Sequence, residues 1–290
     1  MFRRLLTFLF YFLFVLSAIG ACLVLFFPRD KFLNWASSYI EQRLPGIHIS
    51  IGDLKYVHPL KLRLYELSFS DDQKDWVIPV DTLLVSVEPR YPIDNIGIIG
   101  VLFGGDLSFD LSRTTGERLE LRDLKISEML LNELKLLEKN IGRSVEGIVS
   151  LSGRATVDRR RLSDVRFNGT MKLERFQTNL RQPVLDQNEV RFDRVDADIV
   201  LNGKVVDLTG GRAEGPLLSG NFSGQIRGTI PMSRSEIRFS GDLVPQTALL
   251  ESNPALGESL SAYFKRNQTD SIPYSVDGTI SEPFVWFREP

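Results

Sequence analysis

A five-residue unit recurs through the C-terminal half of this chain: apolar, small polar, glycine, polar, apolar. It occurs at Leu151-Ser152-Gly153-Arg154-Ala155, Phe167-Asn168-Gly169-Thr170-Met171 and Leu218-Ser219-Gly220-Asn221-Phe222. It returns at Phe222-Ser223-Gly224-Gln225-Ile226, Phe239-Ser240-Gly241-Asp242-Leu243 and Val276-Asp277-Gly278-Thr279-Ile280. The period is two, so these are strands with one apolar face. The glycine shares the parity of the apolar residues. In the longest example Leu218, Gly220, Phe222, Gly224, Ile226, Gly228 and Ile230 share one face, opposite Ser219, Asn221, Ser223, Gln225 and Arg227. Mid-strand glycine costs stability and marks a bend or a close approach of another backbone. Placed on the apolar side, it lets a sheet curl around that side. Two architectures satisfy this pattern: a curved, groove-like antiparallel sheet, or a sandwich whose core absorbs the glycines. The groove reading nominates Phe167, Met171, Leu218, Phe222, Ile226, Ile230, Ile237 and Phe239 as its lining. Leu201-Asn202-Gly203-Lys204-Val205 has the same spacing but reads as a hairpin turn.

Alternation of period two also governs the earlier chain. Leu60, Leu62 and Leu64 are followed by Leu67 and Phe69, with a phase slip near Tyr65. Further strands carry Leu83, Val85 and Val87, then Leu107, Phe109 and Leu111, then Leu119 and Leu121. Residues 127–139 are rich in helix formers and end near Gly142, which predicts a helix. A second helical stretch, 246–266, is broken at Asn253-Pro254 and carries a stripe of Leu256, Leu260 and Phe264. The segment 274–287 returns to strand and ends on Phe284, Trp286 and Phe287, which tie down the end of the chain.

The front of the chain is different. Residues 5–27, opened by Leu5 and closed by Phe27, contain no charge, and seven of the 19 phenylalanines lie in the first 27 residues. At ~1.5 Å per residue such a helix covers a hydrocarbon core of ~30 Å. Segment 1–28 therefore reads as a short cytoplasmic tail and a transmembrane anchor. A cleaved signal peptide, with Ala18, Gly20 and Ala21 near its end, is a second reading. Its apolar core runs past the usual ~7–15 residues. A lipoprotein signal ending at Cys22 is a third, and it leaves an apolar start where a polar tether belongs. Residues 29–46 read as a juxtamembrane amphipathic helix, capped by Asp30 and stopped by Pro45-Gly46, with Phe32, Ala36, Tyr39 and Ile40 on one face. Residues 47–290 form a β-rich domain on the far side of the membrane. The fold class is mainly β with a few helices.

Several functions are excluded by what the chain lacks. A net charge of -2 argues against a nucleic-acid partner. One cysteine allows neither an intrachain disulfide nor a cysteine zinc cluster, and two histidines leave little for a metal site. No nucleophile elbow, phosphate loop or dinucleotide fingerprint occurs, so no cofactor and no enzymatic activity are expected. His48 and His58 read as exposed, Asp71, Asp72 and Asp75 as a solvated turn, and Arg159, Arg160 and Arg161 as a basic turn. Asp193, Asp196 and Asp198 beside Arg191 and Arg194 read as paired charges on a sheet face.

Three stretches carry a family likeness. One runs from Phe27-Pro28 into Ile49-Ser50-Ile51-Gly52-Asp53-Leu54. The second is Gly228-Thr229-Ile230-Pro231-Met232-Ser233, continuing to Phe239. The third is Tyr274-Ser275-Val276-Asp277-Gly278-Thr279, continuing to Phe284. The chain resembles protein N of the type II secretion system (general secretion pathway protein N) and, more loosely, AsmA-like envelope proteins. The resemblance implies a single-pass inner-membrane protein of a Gram-negative envelope, with its N-terminus cytoplasmic and its β-domain periplasmic. It implies partners among the other secretion components and a non-enzymatic role in protein export. The AsmA-like alternative implies lipid acyl chains bound or conducted in the apolar groove.

Overall fold

A computed structural model describes residues 29–43, 47–57, 61–71, 77–87, 95–113, 118–134, 138, 142–158, 164–229 and 232–287. The chain divides into two compact units, one ending at Thr82 and one beginning at Leu83.

In the first unit, helix α1 (Arg29–Arg43) precedes an antiparallel hairpin of β1 (Ile47–Val57) and β2 (Lys61–Asp71). The register pairs Ile49 with Phe69 and Ile51 with Leu67, then Leu54 with Leu64 and Tyr56 with Leu62. Both strands therefore change phase together between Ile51 and Leu54. Glu66 sits there at φ 52, and a Cβ on Gly52 would meet the Glu66 side chain at 2.6 Å. The shared slip keeps Ile49, Leu54 and Leu67 buried. On α1, Trp35 and Tyr39 stack with ring centroids 5.6 Å apart, and both are exposed. Strand β3 (Val77–Val87) begins in this unit and continues past its end.

The second unit is an antiparallel meander. Its strands are β4 (Asn95–Leu102), β5 (Gly105–Arg113), β6 (Arg118–Leu130), β7 (Val145–Asp158), β8 (Val165–Val184) and β9 (Gln187–Asn202). They continue as β10 (Val205–Glu214), β11 (Leu218–Arg227), β12 (Glu236–Pro245), β13 (Ile272–Thr279) and β14 (Pro283–Phe287). Each strand from β4 to β14 pairs with the next. Helices α2 (Thr247–Ser252) and α3 (Pro254–Asn267) interrupt the meander between β12 and β13. The Asn253 side chain accepts from the Leu256 amide and caps α3, with Pro254 in its first turn.

Directly paired residues of an antiparallel sheet share a face, so the registers can be followed across the strands. One row takes a residue from every strand: Ile96, Leu111, Leu121, Ala155, Phe167, Leu201, Val206, Ile226, Ile237, Gly278 and Pro283. A parallel row runs Gly153, Gly169, Ile199, Leu208, Gly224, Phe239, Val276 and Val285. One face is apolar across the whole unit. β-Bulges hold that alternation in phase. Asp123, Glu128, Arg175 and Gly210 all have positive φ and sit where one strand carries an extra residue.

The glycines on that face permit close approach. Gly153 and Gly169 are register partners. A Cβ on Gly169 would run into the Ser152 carbonyl oxygen and the Phe167 ring; one on Gly224 would strike the Arg238 carbonyl oxygen and the Phe239 ring. Aromatic rings thus lie over the glycines and fill the space their side chains leave.

The sheet curls until distant parts of it meet. Arg143, just before β7, donates to the carbonyls of Ile280 and Ser281 in the β13–β14 turn and to Asn179 on β8. In a flat sheet β7 and β13 lie six strand spacings apart, ~29 Å, far beyond an arginine side chain. The start of β7 and the β13–β14 turn also lie at opposite ends of their strands. The curl is therefore diagonal, with the strands tilted to its axis as in barrels. On β11 Phe222, Gly224 and Ile226 are half-buried while Asn221, Ser223, Gln225 and Arg227 on the other face are exposed, so the apolar face is the inner one.

Two expectations are corrected. Residues 127–130, read as the start of a helix, are the end of β6, with Met129 opposite Val149 and Leu130 opposite Ile148. Cross-strand pairing overrides the helix propensity of this stretch; a 3-10 turn, Leu131–Glu133, follows, and farther on Glu138 is helical, its amide donating to the Leu134 carbonyl and its carbonyl accepting from the Gly142 amide. Residues 135–137 and 139–141 lie outside the described residues. The transmembrane helix is also not carried: among the described residues no helix is long and apolar enough to cross a membrane. Segment 5–27, with Leu5 and Phe27, lies outside the described residues.

Gly169→Val should destabilise the second unit by about 1–3 kcal/mol, because a carbonyl oxygen must move to admit the side chain. Gly203→Asn, in the β9–β10 turn at φ 62 with nothing near its missing Cβ, should be close to neutral. Urea midpoints of the two variants measure the difference.

Candidate functional site

Seven of the eight residues nominated from the sequence are described, and all seven lie on the inner face; Ile230 lies outside the described residues. Phe167, Ile226 and Ile237 belong to the eleven-strand row. Phe239 belongs to the glycine row, and Met171 opposes Ala197. Phe222 opposes Gly211 on one side and Gly241 on the other, and meets Phe239 edge to face with centroids 6.3 Å apart. Leu218 is buried at 6% exposure, whereas the other six are half-buried.

That difference follows from α2 and α3. They leave and rejoin the sheet where Leu218 opposes Pro245 and Leu243 opposes Ile272. The residues buried around this end are Leu218, Leu249, Leu260 and Ile272. The helix pair stands at this end of the sheet, where the Gln246 amide donates to the Leu217 carbonyl. Along the rest of the trough the lining is half-buried rather than buried.

Tyr274 is the polar exception in the trough. It follows Gly241 in the Phe222 row and its hydroxyl lies 3.5 Å from the Asn221 carbonyl oxygen. Burial, assisted by the nearby Asp242 carboxylate, pushes the Tyr274 phenol up to about 12. Nothing in the sequence distinguishes it or Arg143, since both depend on the curl.

The outer face is polar and largely self-paired. Surface hollows lie there, one of about 580 Å³ touching Lys125, Ser152, Thr170, Lys172 and Arg212, another of about 820 Å³ touching Ser108, Asp123, Ser152, Arg154 and Asn168. Lys172 bonds Glu174 and holds its carboxyl below the usual carboxylate range. Arg194 pairs with Asp196, and Arg191 with Gln177 and Glu189. Ser152 and Thr170 hydroxyls share a hydrogen bond of 2.9 Å. Of the trough residues, Met171 and Ile237 reach hollows of this kind.

The remaining sequence candidates do not converge. His48 is exposed and lies 3.3 Å from Glu41. His58, Asp72, Asp75, Arg159, Arg160 and Arg161 lie outside the described residues. Among the described residues no group of three or more histidine, cysteine, aspartate or glutamate side chains is placed to hold a metal ion.

No family model, curated protein or solved structure matches this chain. The likeness to type II secretion protein N and to AsmA-like proteins has no support from these comparisons. The role in protein export and the Gram-negative envelope context go with it. The single-pass inner-membrane topology is likewise not carried by any described helix.

Tyr274 gives a pH test. A phenol whose folded pKa is raised leaves stability intact below the unfolded value of ~10. Stability is then lost as pH rises towards the folded value of about 12. Between pH 9 and pH 11 the wild-type urea midpoint should fall further than that of Tyr274→Phe. Equal falls would mean that the phenol is not held neutral by the fold.

Proposed function

We propose that the second unit is a non-catalytic binding module that takes an acyl chain along its inner apolar face. One observation carries this reading. A row of apolar residues and glycine crosses eleven strands, and its Phe167, Ile226 and Ile237 are only half-buried. A single sheet with such a face leaves apolar surface in water, and a chain-like apolar ligand removes it. Each buried methylene contributes about 0.8 kcal/mol. Ten of them contribute roughly 8 kcal/mol before the cost of immobilising the ligand, so a polar anchor is not required. The glycines also favour a slender ligand, since the backbone floor is narrow where Phe167 and Phe239 fold over it.

The test is titration with a naturally fluorescent polyene fatty acid, displaced by saturated fatty acids of increasing length. Saturable binding is expected, with competitors tightening about tenfold for each added pair of methylenes. Ile226→Asp places a carboxylate in the row, where it finds no cation. It should cost about 1–3 kcal/mol of stability and weaken the probe. Absence of saturable fluorescence, or affinity independent of chain length, would contradict the proposal.

A further inference from the structure

Tyr274 stands at a boundary on the inner face. Along β13 the residues of that face run from buried Ile272, through half-buried Tyr274 and Val276, to exposed Gly278. β11 has the same order, from buried Leu218 to half-buried Phe222 and Ile226. The accessible apolar length therefore begins at the row of Tyr274 and continues away from α2 and α3. A slender ligand on that length is stopped at Ile272 and Leu218, so one of its ends lies beside Tyr274.

The phenol is the polar group of this stretch. By register, the other described residues on the inner face of β11 to β14 are aliphatic, phenylalanine, proline or glycine. Its hydroxyl is weakly committed. The Asn221 carbonyl oxygen lies 3.5 Å away, well beyond the ~2.7–2.8 Å of a good O–H···O bond. A closer acceptor takes that proton. The phenol keeps it for donation, because burial and the Asp242 carboxylate push its pKa up to about 12. The same carboxylate selects among acceptors. Its field opposes a second negative charge beside the phenol and does not oppose a neutral carbonyl oxygen.

We propose that the Tyr274 hydroxyl holds the polar end of the acyl ligand, donating a hydrogen bond to the carbonyl oxygen of an esterified rather than a free fatty acid. This rests on the acyl-binding reading above and deepens it. Apolar area supplies the affinity, as the methylene arithmetic requires. The single hydrogen bond sets where the chain stops and which class of acyl compound is preferred. A hydrocarbon without a carbonyl leaves the phenol with its long bond to Asn221 and gains nothing at this end.

The test displaces the polyene fatty acid from the full chain with three compounds of matched length. They are methyl decanoate, methyl decyl ether, which lacks the carbonyl, and decanoate. Wild-type protein should hold the ester about fivefold tighter than the ether, the worth of one neutral hydrogen bond. In Tyr274→Phe the ester should fall to the level of the ether, with the ether unchanged. That split separates a bond to the ligand from a packing role, which would weaken both alike. Asp242→Asn should tighten decanoate several-fold and leave the ester where it is. Urea midpoints check that each variant is folded. An ester held no tighter than the ether by wild-type protein overturns the proposal. So does an ester preference that survives in Tyr274→Phe, equal weakening of ester and ether in that variant, or decanoate binding unmoved by Asp242→Asn. Failure of wild-type protein to bind the polyene probe at all is a different result: it removes the acyl reading itself, and this inference with it.

Discussion

Everything in the second unit depends on how closely two backbones approach at the glycines of the inner face. A side chain at Gly169 or Gly224 would occupy the place of a neighbouring carbonyl oxygen. Without that side chain the strands bend towards one another on the apolar side. The bend buries part of the lining without a second layer and brings Arg143 to the β13–β14 turn. A flat version of the same sheet would leave both faces equally wet. Curvature thus stands in for the second layer that most domains use to cover an apolar face.

The sequence makes the alternation legible because a strand face needs only parity to be read. The inner-face rows, the phase slip near Tyr65 and the turn at Gly203 all rest on local periodicity or turn chemistry. Residues 127–130 show where that reading fails. Glu128, Leu130 and Leu131 favour helix by themselves, yet Met129 and Leu130 have strand partners waiting on β7. Register is a non-local property, and no local pattern announces it. Arg143 and Tyr274 escape for the same reason, since neither has meaning until the sheet is curled. The outward aromatics of β14 were visible as residues but not as an edge. They read as a tie-down for the chain end, whereas the register turns Phe284 and Trp286 to the polar side.

The two faces divide the chemistry cleanly. The outer one carries charges that mostly satisfy each other in short ladders, such as Lys172 with Glu174 and Arg194 with Asp196. Exposed pairs like these contribute little to stability and mainly keep the surface wet. The inner one is buried at Leu218, beside α2 and α3, and half-buried along the rest of its lining. Its capacity for a ligand comes from area rather than from any single residue. Substitution at one position of the trough should therefore act through packing, and a charge placed there acts more strongly than a loss of volume.

The central claim is the curl, and a single distance tests it. Spin labels at Ser144 and Ser281, in the chain with Cys22 replaced by serine, report the separation of the β7 start from the β13–β14 turn by pulsed electron resonance. The curled sheet predicts a narrow distribution well short of ~29 Å, the lateral span of six strand spacings. A distribution centred at or beyond that span would mean an open sheet, and with it an inner face that is no trough at all.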